Sequence, residues 1–531
     1  METTNLSKIK RDKMLKTIDE IKKNVTDEET INNLSLIENE LTKKKYGLIW
    51  EEHEERVDKE LETQIPTFEE VKDKEIISSP NDKFNFLLEG DNLHSLYLLE
   101  KTHKGKIDVI YIDPPYNTGK EFIYNDDIVD MADGYKHSKW LSFMYKRLTI
   151  AKKLLSENGV IFLSIDDNEQ SQLKLLCDEI FEENNFIANF VIIRAEGGGL
   201  AKQVIKGHDY VLAYAKNINE FTPLAKEKDV RGKIINKDGI DYWIQEDWLR
   251  KEFGKYGNCH YEEILQYKDQ KTKDEIDKGL ENGKYILVPK DNGMNIVGKL
   301  RRLDEDSSKF YSILKHLNKN GVNELKKFNF EINFDYPKPV SLIEELVKGA
   351  TFFSKKNNPI ILDFFAGSGT TGQAVMQQNK KDGGNRTFIL CTNNDNNICE
   401  KITYERLKQC INGNENIEPN KCNLKYYRTS FIPRINTEEQ NLNDNLMKNI
   451  CNLIQLENSV SIDNKKIQVY YNENEFDRFT SNLELLNVCN KVYLSSDILI
   501  TSNQKKLLND NNIEVYVIPE YYFKDEIMEV L

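Results

Sequence analysis

The stretch IDVIYIDPPYNTG, residues 107–119, sets an unbroken apolar run directly before an acid, two prolines and an aromatic ring. A short apolar run without polar alternation reads as a strand buried on both faces, the pattern of a parallel sheet covered by helices on either side. Ligands of open α/β sheets bind outside the carboxyl ends of the strands, so this strand carries Asp113, Pro114, Pro115 and Tyr116 to a site. Two consecutive prolines fix their own φ near about −65° and remove two backbone donors, which leaves carbonyls to accept. Such a loop suits a planar exocyclic amine, whose lone pair is delocalised until its N–H groups are held. Asp113 and the Pro114 carbonyl can take one hydrogen each, and Tyr116 can stack on a base flipped out of a duplex, offsetting lost stacking by about 1 to 3 kcal/mol. An acid-Pro-Pro turn chosen for backbone reasons alone would look the same. The polar continuation Asn117-Thr118-Gly119 favours a loop that closes over a ligand.

A second loop, Asp363-Phe364-Phe365-Ala366-Gly367-Ser368-Gly369-Thr370-Thr371, follows the apolar run PIIL and opens a helical pattern. Two glycines two apart allow close backbone approach, and the N-terminus of the next helix favours a carboxylate. The third glycine of a dinucleotide fingerprint and the Gly-Lys-Thr ending of a phosphate loop are both missing, which sets NAD and ATP aside. S-adenosylmethionine, with a carboxylate and no phosphate, fits better.

Outward from these loops, short apolar runs (GVIFLSIDD, FVIIR, YVLAYAKN, TFILCTNN) alternate with helical stretches at 139–156 and 169–182, the rhythm of an α/β sheet. The rhythm lapses over residues 217–330, where Trp243 and Trp248 sit among short mixed segments and read as a small local core. Residues 1–45 have amphipathic helical spacing that ends before Pro66 and Pro80, and strands are expected again at 467–471, 491–494 and 513–518. With 531 residues, several structural units are expected. No run of about 18 apolar residues occurs and the first residues lack the apolar centre of a secretion signal, so a cytoplasmic protein is expected. The eight cysteines form no CxxC pair, and neither a disulfide frame nor a metal site is expected. Asp166, Asp167 and Glu169 read as a strand-end turn capping the next helix. A net charge of −14 does not exclude a polyanionic partner, because phosphate contacts need only a local basic face. Residues 299–327 offer one with eight Lys or Arg against four acids, including Arg301 and Arg302.

DPPYNTG followed by DFFAGSGTT resembles the β-class amino methyltransferases, in which the catalytic motif precedes the cofactor motif. KYGLIWEEH, EGDNLHSL, SIDDNE, HDYVLAYAKN and DYPKPVSLIEELV extend the resemblance, over most of residues 45–430, to the modification (Mod) subunit of type III restriction-modification systems. It implies a Rossmann-like α/β fold in permuted motif order. The implied segments are an N-terminal helical one (1–75), a catalytic half (76–216), an inserted target-recognition domain (217–330), a cofactor half (331–430) and a C-terminal α/β domain for assembly (431–531). The implied activity is methylation of adenine N6 in duplex DNA, with S-adenosylmethionine as donor, a homodimer as the assembly and a helicase-nuclease restriction subunit as partner. The implied cofactor residues are Asp91, Lys338 and Ser341 beside Asp363, Phe365, Ala366, Gly367, Ser368, Gly369 and Thr370. Asp91 could equally be a helix cap. Many relatives carry a ribose-binding acid where TFILCTNND has Thr392, which leaves Asn393 or Asp395 for that role. Two other readings stay open. One is an orphan enzyme acting on adenine, on the 4-amino group of cytosine, or on RNA or a protein amide; the other is an idle recognition subunit. Asp113 at the head of its loop, where cytosine-specific relatives usually have Ser, favours adenine.

Overall fold

Ile110 and Ile112 enter one core while Val109 and Tyr111 enter another, as the pleat of a strand buried on both faces requires. This computed structural model describes residues 6–42, 50, 53–79, 83–118, 136–197, 204–228, 230, 232–252, 257–303, 305–328, 330, 334, 336–354, 356, 358–434 and 439–522. Most of KYGLIWEEH, together with Pro80, Gly119, Asp304 and Asp335, lies outside the described residues.

Ten strands form the main sheet: β1 (Gln64–Glu70), β2 (Phe84–Glu89), β3 (Ile107–Ile112), β4 (Leu155–Ile165), β5 (Phe186–Ile193), β6 (His208–Ala215), β7 (Ile313–Lys315), β8 (Ile360–Asp363), β9 (Thr387–Thr392) and β10 (Asn423–Pro433). Their spatial order is β1-β10-β2-β9-β8-β3-β4-β6-β5-β7. From β10 to β4 all neighbours are parallel, while β6 is antiparallel to both β4 and β5. Helices α1 (Asn92–His103) and α2 (Lys136–Leu154) bury Leu96, Leu99, Trp140 and Leu148 on one face. Helices α3 (Val340–Thr351) and α4 (Thr370–Asp382) bury Leu346, Val347, Ala374 and Val375 on the other. The result is the three-layer α/β architecture expected from the alternation of patterns.

Several segment boundaries differ from the sequence reading. The N-terminal segment contains helices Leu6–Asn24, Glu28–Thr42 and Arg56–Thr63 but ends in β1, which pairs with β10 and places Pro66 on the sheet edge, where a missing donor is tolerated. The insertion gives up its last part to the main sheet, since β7 pairs with β5. What remains is a four-stranded antiparallel sheet (Ile234–Lys237, Ile240–Gln245, Tyr285–Pro289, Asn295–Arg302) with helix Gln270–Glu281 and a core of Leu249, Cys259, Ile264, Ile276 and Val297. Trp243 and Trp248 are structural here, with their indole N–H groups donating to Asp306 and to the Val297 carbonyl at 2.7 Å each. Arg301 lies 3.0 Å from Asp306 and Arg302 lies 3.0 Å from Glu305, so both arginines are committed within the insertion.

Beyond β10, three parallel strands (Ile467–Tyr470, Lys491–Leu494, Glu514–Val517) match the expected ones and enclose a separate small core. Helix Glu439–Asn458 instead joins the main core through Leu446, Ile450, Leu453 and Ile454. Residues 431–531 therefore do not divide cleanly from the sheet, because this helix covers part of its apolar face. Among the described residues no helix is long and apolar enough to cross a membrane. Leu453→Ala should destabilise the main domain by about 2 to 5 kcal/mol, the usual cost of truncating a fully buried leucine. Denaturant unfolding read at the main-core tryptophan on α2, Trp140, checks this; a change confined to the C-terminal unit would contradict the assignment of the helix.

Candidate active site

β8 and β3 are neighbours, with Ile361 opposite Val109 and Leu362 opposite Ile110, so the loops that begin at Asp363 and Asp113 leave the sheet side by side. They meet at the carboxyl ends of the parallel strands, where this topology binds ligands. A cavity of about 580 Å³ lined by Lys83, Asn85 and Arg386 lies at the opposite, amino ends of β2 and β9 and is remote from both loops.

In the first loop the Tyr116 hydroxyl donates to Asp113 Oδ1 at 2.8 Å and accepts from Lys338 Nζ at 2.5 Å. Lys338 Nζ also stands 3.5 Å from Asp113 Oδ1 and 3.7 Å from Asp209 Oδ2. Burial, then the Asp113 and Asp209 carboxylates, push the Tyr116 hydroxyl well above its ordinary range, so it stays a neutral donor. Asp209, at the start of β6, is pushed up by burial and pulled down by Lys338 and Arg194, whose guanidinium donates to it at 2.8 Å. The Trp140 indole holds the Pro115 carbonyl at 2.7 Å. Asn117, in the left-handed region at φ 53°, donates to the Lys136 carbonyl at 3.2 Å and to Glu169 Oε1 at 2.5 Å. Glu169 is fully buried, contacts His137 Nδ1 at 2.6 Å, and is pushed upward by that burial. Glu169 thus supports the first loop through Asn117 and does not cap the helix that follows. Asp166 closes the turn instead, through the backbone N–H of Asn168 at 2.9 Å.

In the second loop Gly367 and Gly369 adopt φ 48° and 76°, a region that glycine enters without strain. Asp363 is turned inward: Oδ1 accepts from the Phe365 N–H at 3.0 Å and Oδ2 from the Thr371 hydroxyl at 2.5 Å. Its burial pushes the carboxyl up to about 7. Asp363 therefore shapes the loop, and the Phe365 ring packs against Phe364 and Phe143 with centroids 5.3 and 5.9 Å away. Arg406, fully buried, donates to the Ser368 hydroxyl at 2.9 Å, the Thr370 hydroxyl at 2.8 Å and Gln373 Oε1 at 2.8 Å. Ala366 is held by the Cys391 carbonyl at 3.1 Å.

Asp91 caps α1 through the Leu93 N–H at 2.8 Å and faces Arg147 at 3.3 Å, so the capping role is realised while the side chain stays at the same strand ends. Buried Arg147 donates to Asn92, which donates to the Phe364 carbonyl at 2.7 Å, and it also pairs with Glu55. Ser341 is engaged by His316 Nδ1 at 2.9 Å, and Asn393 donates to Asp395 at 2.6 Å. Arg147, Glu169, Asp209 and Arg406 were not singled out as site residues from sequence. Each is a buried ionisable group whose partner comes from a distant segment.

The two adjoining loops at the carboxyl ends of β3 and β8 form the candidate site of this α/β sheet. Residues 107–412 match the family model described as DNA methylase, and the chain belongs to that family. The StyLTI Mod subunit, of a type III restriction-modification enzyme of Salmonella typhimurium, is 32% identical over 63% of this chain and 56% of its own length. The chain thus spans little more than half of that relative. The type II methyltransferase M.KpnI of Klebsiella pneumoniae is 34% identical over 60% of this chain and 82% of its own length. Among solved structures, the PvuII DNA methyltransferase (cytosine-N4-specific) aligns with TM-score 0.35 and 12% identity over 64% of this chain and 92% of that one.

Asp363→Asn removes a buried charge while leaving an oxygen for the Phe365 N–H. A folded pKa of about 7 against an ordinary 3.8 means the folded state binds the extra proton between those values. Wild-type stability should therefore fall relative to Asp363→Asn as pH rises from about 4 to about 7, then run parallel to it. Thermal unfolding of both proteins across that range checks this; parallel profiles throughout would contradict the inward placement of Asp363.

Proposed function

We propose that this chain methylates the N6 amine of a flipped adenine in duplex DNA, using S-adenosylmethionine, and acts as the modification and DNA-reading subunit of a type III restriction-modification system. The observation that carries the reading is the contact of Asp113, Tyr116 and Lys338 beside a loop of two left-handed glycines. The residues present fit the cofactor. Gly367 and Gly369 leave backbone open to its methionine end, the α4 N-terminus favours its carboxylate, and Asp91 follows β2, two strands from β8 on the same side of the sheet. S-adenosylmethionine supplies an electrophilic methyl group.

The chain's own residues do the rest. Asp113 Oδ1 is occupied by Tyr116, while Oδ2 takes no hydrogen bond among the described residues and can accept one N–H of the amine. The Pro114 carbonyl accepts the other, which favours a lone pair directed out of the ring plane. Lys338 fixes the Tyr116 hydroxyl, and the ring presents a face for the extruded base. With the cofactor bound, its methyl–sulfur bond would break as the N–C bond forms, leaving a neutral thioether, and Asp113 or water would take the amine proton.

The type III assignment rests on similarity to the Mod subunits named StyLTI, EcoPI and EcoP15I, at 32%, 32% and 30% identity. A helicase-nuclease restriction subunit is proposed as the partner, and a homodimer as the assembly. The C-terminal unit offers exposed Leu483, Leu499 and Val517 for such contacts.

Asp113→Ala should abolish methyl transfer while S-adenosylmethionine binding stays within a few fold. Gly367→Val should weaken cofactor binding first, because a branched residue at φ 48° is strained. Calorimetry paired with a methylation assay separates the two; equal loss of binding and transfer in Asp113→Ala would contradict the assigned role.

A further inference from the structure

The insertion carries a groove of about 970 Å³ between strand Ile240–Gln245 and a two-stranded ribbon of Ala225–Glu227 and Ser307–Lys309. We propose that this groove is the track for DNA backbone phosphates flanking the target base, an inference that rests on the reading of duplex DNA as substrate. Lys226, Lys228, Lys233 and Lys309 line it, and none of the four forms an ion pair with a described residue. The acids on its wall are already matched: Glu246 lies 2.6 Å from Lys290 and Asp247 lies 3.4 Å from Arg250. In a chain of net charge −14, four uncompensated lysines in one concavity concentrate positive potential where the background is negative. A polyanion is the ligand that such a groove recognises.

Two further features favour a nucleic-acid strand over a small phosphate. Tyr311 is 73% exposed at the rim, with Lys226 Nζ 5.5 Å from its ring centre, an aromatic face positioned to lie against a sugar or base. The groove is also seated firmly. The Phe310 ring presses on α3 at Gly349, where an added Cβ would come within 2.4 Å of it, and Lys348 of the same helix pairs with Glu227. Helix α3 begins two residues after Lys338, the lysine that touches Tyr116. At about 1.5 Å per residue, the helical span from Val340 to Lys348 is roughly 12 Å, so the groove lies within reach of a duplex held at the first loop.

The test is binding of the full chain to a short DNA duplex of arbitrary sequence, read by fluorescence anisotropy across a series of salt concentrations. Each phosphate contact contributes about 0.9 to the slope of log affinity against log salt. K226Q/K228Q/K233Q/K309Q should flatten the slope by about two to four units, and each half, K226Q/K228Q or K233Q/K309Q, by about half of that. The corresponding Lys→Arg quadruple variant should keep the wild-type slope. Affinity for S-adenosylmethionine should stay unchanged in every variant and reports folding; if the glutamine quadruple variant loses it, the two halves decide. An unchanged slope in the halves and the quadruple variant overturns the proposal, as does loss of RNA binding with the duplex slope intact. Adenine methylation by the wild type alongside an unchanged variant slope removes the groove alone. A flattened slope in a protein that transfers no methyl to DNA removes the functional reading alone.

Discussion

Everything at the active site depends on the backbone pairing of β8 with β3. It joins strands whose motif acids stand 250 positions apart in sequence, Asp113 and Asp363, and it delivers their loops to the same edge of the sheet. The apolar side chains on both faces of these strands leave little freedom of register, since a slip by one residue would exchange the two cores. Once the strands are paired, the loops need only be held in shape, and buried charge does this on both sides. Arg406 grips Ser368 and Thr370 under one loop, and Glu169 grips Asn117 under the other. Burying these groups costs free energy that their hydrogen bonds offset only in part, since Glu169 Oε2 and Arg406 Nη2 have no partner among the described residues, and the bonds that are made hold each loop to one geometry.

The insertion is attached at the same edge from which the chain departs. It leaves after β6 and returns through β7, with β5 between them in the sheet. Its ribbon rests on α3, the helix that starts beside Lys338. The ribbon of the insertion and the lysine that touches Tyr116 are thereby tied to one helix.

The two loops were legible in the sequence because their chemistry is local. Acid, prolines, aromatic ring and glycines are adjacent, and an apolar run announces the strand end. Lys338 was reached only through family resemblance, and the structure places its ammonium on Tyr116. Arg147 and Arg406 look like surface charges of amphipathic helices; their burial follows from partners at Asn92 and Ser368, which no local pattern specifies. Glu169 was noted as part of a turn, yet its role depends on Asn117, more than fifty positions earlier. The partners of Arg301 and Arg302 were visible in the sequence. Asp306 and Glu305 follow within five residues, close enough to satisfy both guanidiniums once the strand ends and turns. Strand β1 has no clear signature in the sequence because Pro66 interrupts it, a residue that a sheet edge tolerates.

The central claim is that Asp113 and its loop direct a methyl group onto adenine in DNA. Single-molecule sequencing of DNA from cells expressing this chain alone reads the modified base and its context together. The account predicts N6-methyladenine at one fixed sequence context, absent from cells that carry Asp113→Ala. Methylation of cytosine at N4, or unmodified DNA from cells in which the folded protein is present with its cofactor, would contradict it.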